Sequence, residues 1–237
     1  LIELEKGCPW AGPRPLTRAV DGSAPYRFVE REQDARRFLD VVRSNRLVVL
    51  HGESGAGKSS LLDMVLIDRL FDDGFAVLTC RAWGRLGNSE PEAFLTDEFR
   101  RSNLLHPLVV EQLDEGRPLV EVLDELYEGD AVIVLDQFEE LIRNRRPGDF
   151  DRITQWILHV NRAQRTKVVI SLRSEYQHRL AALIKGARPF STSYVELPAL
   201  QDTSSIVKVI ESANERAEGQ AIEAAASAAL LEVWTEL

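Results

Sequence analysis

The chain has 237 residues, 44% of them hydrophobic and 28% charged, enough to bury a full core and typical of a globular domain rather than a disordered or fibrous chain. Its net charge of −9 argues against a surface built mainly to hold nucleic-acid backbone. Cys8 and Cys80 show no metal-ligand spacing, no run of 18 apolar residues occurs, and the N-terminus lacks the shape of a signal peptide, so the expected setting is the reducing cytoplasm.

The chain begins at Leu1 and ends inside a helical pattern at Leu237, and it reads as a fragment of a longer protein. Residues 1–30, punctuated by Pro and Gly, are expected to be an extended lead-in laid on the surface of a core that spans 31–200. Ala35, Phe38, Leu39 and Val42 recur at helical spacing within 31–43. Arg46–His51 reads as the first strand, and a helix is expected over about 58–71. Phe75–Arg81 is a second strand and 82–90 a loop. Pro91 opens a helix to about 103, with Ser89 as its cap, and further helices follow near 106–114 and 118–128. Ala131–Leu135 is the most apolar strand, followed by a helix at about 149–164 and the strand Lys167–Leu172. A helix at 175–186 and a last strand, Ser193–Leu197, complete the core. Residues 201–237, with helices at about 202–217 and 221–237, are expected to begin a small helical lid. Strands that are continuous apolar runs, alternating with helices, predict an α/β fold: a parallel sheet covered by helices on both faces. Functional groups then belong at the C-terminal ends of the strands.

One stretch carries a specific chemistry. Gly52-Glu53-Ser54-Gly55-Ala56-Gly57-Lys58-Ser59-Ser60 has the spacing of a P-loop, entered from a strand and leaving into a helix. Small residues let backbone N–H groups wrap a phosphate, Lys58 can reach the β- and γ-phosphates, and the Ser59 hydroxyl can ligate Mg²⁺. Asp136 ends an apolar strand, the Walker B arrangement, and is the second candidate ligand for Mg²⁺. Glu139 and Glu140 are candidates for activating the attacking water. Neighbours on a helix point about 100° apart, so one of them serves, and Glu140 is the first candidate. Arg173 follows a buried strand and is placed to sense the γ-phosphate. His51 reads as a packing or hydrogen-bonding residue and the four tryptophans as packing residues. Arg143, Arg145 and Arg146 read as a solvated loop, with an arginine finger acting on a neighbouring subunit as the alternative.

Taken together, Cys8-Pro9-Trp10, Arg14-Pro15-Leu16, Phe28-Val29-Glu30-Arg31-Glu32, the P-loop, Asp136-Gln137-Phe138-Glu139-Glu140-Leu141, Ser171-Leu172-Arg173 and Leu197-Pro198-Ala199-Leu200 resemble the STAND NTPases, and most of all the bacterial novel STAND type. The resemblance spans about Gly7 to Leu200. It implies an AAA+-like core that holds ATP or ADP as a switch: closed with ADP, self-associating with ATP, and driven by sensor and effector domains elsewhere in a longer chain. It also implies that Phe28, Val29 and Arg31 lie near the adenine and that Pro198 borders the nucleotide. Glu30 stands where the family usually has Gly, and Leu16 where an aromatic is usual.

Three functions are compatible with these residues. A slow Mg²⁺-dependent ATPase acting as a signalling switch, in bacterial defence or regulation, accounts for the most features. A nucleotide-binding assembly module that does not hydrolyse is the alternative, with a small-molecule kinase behind it, because 202–237 contain Arg216 as their only arginine. The Asn-Lys-X-Asp motif of GTPases and the Ser-Gly-Gly-Gln signature of ABC transporters are absent from the sequence.

Overall fold

The computed structural model describes residues 31–199, apart from residues 88, 103, 127–129, 144–147, 161–162 and 187–191. The lead-in, the lid helices, Phe28 and Val29, and Arg145 and Arg146 therefore lie outside the described residues. The described elements run α1 (Glu32–Ser44), β1 (Leu47–Gly52), α2 (Lys58–Leu61), a π-turn (Leu62–Leu66), α3 (Ile67–Asp72), β2 (Ala76–Cys80), α4 (Pro91–Arg101), α5 (Pro107–Asp114), α6 (Leu119–Leu126), β3 (Ala131–Leu135), α7 (Glu139–Arg143), α8 (Asp149–Val160), β4 (Thr166–Arg173), α9 (Gln177–Gly186) and β5 (Thr192–Glu196). Short 3₁₀ turns at Trp83–Arg85 and Ser174–Tyr176 sit just beyond the ends of β2 and β4.

All strand pairs are parallel, in the order β2-β3-β4-β1-β5. Alternation along each strand divides the core between two faces. Leu47 and Val49 of β1, Ile133 and Leu135 of β3 and Ile170 and Leu172 of β4 point to the face covered by α4 to α9. Val48, Leu50, Val132, Val134 and Val169 point to the other, where they meet Phe38, Leu39 and Val42 of α1 and Leu61, Leu62, Leu66 and Leu70 of the helix after the loop. Each such fully buried side chain contributes about 1.5–3 kcal/mol. The central strands β1 and β3 are buried along their whole length, whereas β2 and β5 lie at the edges and are only half-buried.

Two local expectations are revised and one turn is added. The helix expected over 58–71 is not uniform: a π-turn at Leu62–Leu66 widens it and carries Asp63. Ser89 does not cap α4. Glu90 occupies the cap position without a side-chain bond, and the Ser89 N–H instead donates to the Leu86 carbonyl. The helix after β3 starts at once, at Glu139, through a turn that needs Gln137 at φ 54°, a left-handed conformation uncommon outside glycine.

Candidate nucleotide-binding site

The site is assembled where β1, β3, β4 and β2 end. At the end of β1 the chain enters the glycine loop. Gly52 leaves no room for a side chain: a Cβ there would sit 2.4 Å from the Leu197 carbonyl oxygen, because Leu197 crosses the end of β1 and its N–H donates to the His51 carbonyl at 2.7 Å. Gly57 adopts φ 89° immediately before α2, which turns the backbone into the helix. Glu53, Ser54 and Gly55 are exposed, Ala56 is buried, and Gly57, Ser59 and Ser60 are half-buried. The Lys58 ammonium donates to the Gly52 and Glu53 carbonyls, both at 2.8 Å; an ammonium has three N–H donors, so a third can serve another acceptor. Burial lowers the Lys58 pKa, opposed by Glu139 and Asp136 and reinforced by Arg173.

The acidic side comes from four separate segments. Asp136 is 1% exposed. Its Oδ1 accepts the Gln137 N–H at 2.9 Å, its Oδ2 accepts Arg81 Nε at 2.8 Å, and its backbone carbonyl accepts Trp83 Nε1 at 2.7 Å. Trp83 stands edge-on to Phe138, with ring centroids 5.2 Å apart, which packs the turn after β3 against the end of β2. Arg81 also donates to Asp63 Oδ1 at 2.5 Å. Burial raises the Asp63 pKa against the pull of Arg81. Burial likewise works against the Arg81 charge, but Asp63 and Asp136 outweigh it and the net shift is upward.

Arg173, at the end of β4, is in register with Gly52 of β1, and β4 lies between β1 and β3. Arg173 is thereby delivered between the phosphate loop and Asp136. Its Nε lies 3.2 Å from Glu139 Oε1, while Glu139 Oε2 is buried without a hydrogen-bond partner. Glu140 is half-buried, and its N–H donates to the Gln137 carbonyl. Of the two adjacent glutamates, it is Glu139 whose carboxylate is paired with Arg173 and whose field reaches Lys58.

Other sequence-selected residues take supporting positions. Arg31 is buried, with its guanidinium donating to Ala56 O at 3.2 Å, Pro198 O at 2.6 Å and Asp34 Oδ2 at 2.8 Å, so it ties the phosphate loop to the segment after β5. Pro198 is exposed and enters this tie through its carbonyl. His51 Nδ1 lies 3.1 Å from Ser174 Oγ, linking the end of β1 to the residue after Arg173. Cys80 is buried, its thiol pushed up to about 12 by burial, and is chemically inert packing. Arg81 and Asp63 received no role from the sequence. The available signals were a cation directly after an apolar strand, as at Arg173, and an acid interrupting the apolar run that follows Ser59.

Among the described residues no group of three or more His, Cys, Asp or Glu is placed to hold a metal ion. Ser59 and Asp136 offer a hydroxyl and a carboxylate. Two hard oxygen donors, with phosphate and water completing the shell, suit Mg²⁺, which keeps much of its water. The residues present therefore fit that ion.

A glycine loop leaving a central parallel strand, and an acid and an arginine on the next two strands, define a P-loop NTPase core. The model of the family described as Novel STAND NTPase 1 matches residues 18–236, and the chain belongs to that family. It is a nucleotide-binding NTPase by family and fold. No curated protein matches the chain significantly.

Solved structures share the fold. The Walker-type ATPase PABY2304 of Pyrococcus abyssi superposes with a TM-score of 0.57 at 20% identity, over 84% of this chain and 59% of that one. The Aeropyrum pernix ORC1 protein, in complex with DNA, gives 0.54 at 21% identity, over 82% of this chain and 50% of that one. The ADP complex of Hsp104 from S. cerevisiae gives 0.51 at 16% identity, over 80% of this chain and 24% of that one. The chain thus spans between a quarter and three-fifths of the length of these neighbours. Among the described residues no helix is long and apolar enough to cross a membrane.

Proposed function

We propose that this chain is the nucleotide switch of a signalling ATPase: it binds ATP or ADP with Mg²⁺, hydrolyses ATP slowly in the cytoplasm, and self-associates in the ATP state. The observation that carries this reading is Arg173, held between the Gly52 loop and Asp136 and paired with the buried Glu139. An arginine so placed can exchange a carboxylate for a γ-phosphate, which makes the site able to distinguish ATP from ADP. Arg31 contributes by fixing the Ala56 carbonyl in the loop, and with Phe28, Val29 and Pro198 it forms the proposed adenine side.

The proposed chemistry uses groups already at the strand ends. Lys58 and the loop N–H groups hold the phosphates in line. Ser59 and Asp136 would hold Mg²⁺, which when bound neutralises charge on the β- and γ-oxygens. Glu139 Oε2 takes the proton of a water as its oxygen bonds to the γ-phosphorus. The bond from that phosphorus to the bridging oxygen breaks, leaving phosphate and ADP.

The second reading, a nucleotide-dependent assembly module without turnover, is favoured by the same ion pair, because a Glu139 held permanently by Arg173 is not turned toward a water. Quantifying ATP turnover and released nucleotide for the wild type and Glu139→Gln separates the two. Turnover abolished by the substitution, with ATP still bound, supports the ATPase. Equal and negligible turnover in both supports the module.

A further inference from the structure

We propose that Arg81 is an internal counter-cation of the metal carboxylate, which yields Asp136 when a divalent ion binds and closes onto Asp63 instead. This rests on the reading of Asp136 as a metal ligand. The guanidinium at the end of β2 reaches two acids at once, Nε to Asp136 Oδ2 at 2.8 Å and a terminal nitrogen to Asp63 Oδ1 at 2.5 Å. Its position relative to the two acids is unequal. Asp136 has both oxygens engaged, one by Arg81 and one by the Gln137 N–H. Asp63 has one oxygen engaged, and its Oδ2 is buried without a hydrogen-bond partner.

A buried carboxylate oxygen without a donor is costly and calls for a state in which it is paired. Arg81 supplies that state. An arginine presents Nε and a terminal nitrogen as a fork that matches the two oxygens of one carboxylate. Turning from Asp136 to Asp63 would give Asp63 both of its bonds and free Asp136 Oδ2 to face a cation. Asp63 is suited to receive it. It sits on the π-turn four residues after Ser59, so the receiving acid and the other proposed metal ligand belong to the same helical segment.

A lysine in place of Arg81 would keep the charge but lose the fork. A glutamine would remove the competitor altogether. The consequence is that protein side chains, and not only nucleotide, set the divalent-ion requirement. Arg81 offsets one of the two carboxylate charges it faces before metal arrives and competes with the metal for one oxygen. Asp63 lowers the cost of that exchange by accepting the displaced guanidinium. Removing Arg81 and removing the Asp63 charge should therefore move the metal requirement in opposite directions, which a merely structural tie would not do.

The test is Mn²⁺ binding to the full 237-residue chain with ADP present, with free Mn²⁺ read by electron paramagnetic resonance. Arg81→Gln should tighten Mn²⁺ binding about fivefold, the scale of one partly buried ion pair. Asp63→Asn, which leaves Asp136 as the partner of Arg81, should weaken it by a similar factor, and Arg81→Lys should fall between wild type and Arg81→Gln. Asp63→Asn is nearly isosteric and carries the sign by itself if Arg81→Gln does not fold. Unchanged affinity in Asp63→Asn, or a shift of both variants in the same direction, overturns the proposal. Asp136→Asn controls the reading beneath it. If that variant binds Mn²⁺ as wild type does, the reading of Asp136 as a metal ligand has failed. If it loses Mn²⁺ while the Asp63 and Arg81 variants leave Mn²⁺ affinity unmoved, only the counter-cation has failed.

Discussion

The two sides of the candidate site are built from different material. The proposed phosphate side is backbone: consecutive residues from Gly52 to Lys58, shaped by glycines and closed by two bonds from Lys58 to loop carbonyls. The acidic side is side chains, with Asp63, Arg81, Asp136, Glu139 and Arg173 drawn from the ends of four different segments and held by ion pairs. A backbone-built half tolerates most changes of side chain but not a lost glycine or a lost lysine. A half built from paired charges is sensitive to any change that leaves one partner buried alone, because an uncompensated charge costs more than the pair contributes.

That contrast can be broken from the phosphate side first. Lys58→Ala should weaken nucleotide binding by about 10²-fold or more, the loss of a charged partner in a partly buried site, as read by fluorescent ADP titration. Unchanged affinity would remove the loop from the site. On the acidic side, Glu139→Gln should leave ATP affinity near wild type and lower turnover by roughly 10²-fold, whereas Glu140→Gln should change turnover little. The reverse ranking would return the role of base to Glu140.

Smaller effects sharpen the comparison. Arg173→Ala should reduce the preference between ATP and ADP by about tenfold and lower stability, since Glu139 is left buried without its partner. Equal discrimination in variant and wild type would end its sensing role. Gly52→Ala should cost about 1–3 kcal/mol by denaturant unfolding, because the Leu197 carbonyl must give way. Gln137→Val should cost about 1–2 kcal/mol while Gln137→Asn is tolerated, since a β-branched residue resists a φ of 54°.

The smallest expected effect concerns His51, whose pKa burial lowers, with Glu196 opposing and Lys58 adding to the shift. The fold prefers the neutral ring, so stability is intact above the ordinary histidine value of 6.5 and declines as pH falls below it. His51→Gln should flatten that acid-side slope, and an unchanged slope would assign it to other groups.

How much of this was legible before folding follows the same division. The phosphate loop could be read from residues alone because its chemistry is local: a strand, small residues and Gly-Lys-Ser are contiguous and imply their own geometry. The strands were legible to within a residue or two, since runs such as Ala131–Leu135 are apolar on both faces and suit the centre of a parallel sheet. The family resemblance rested on short motifs spread along the chain, and the family match over 18–236 agrees with it.

The acidic side was legible only in part. Asp136 and Arg173 announce themselves by ending apolar strands, but the same local position did not reveal Arg81, because nothing in a linear sequence says which strand ends become neighbours. The π-turn at Leu62–Leu66 and the left-handed Gln137 before α7 also escaped, since helix propensity reports neither.

The sequence by itself determined a parallel α/β core with a glycine loop and offered Lys58, Asp136, Glu139, Glu140 and Arg173 as charged candidates, without Arg81 or Asp63. Only the tertiary structure decided that β4 passes between β1 and β3, which carries Arg173 to Gly52 and Glu139, and that β2 pairs with β3, which lets Arg81 join Asp63 to Asp136. The physical reason is that backbone geometry is encoded by neighbours in the chain, whereas the pairing of charges is settled by strand order, which is a property of the whole sheet.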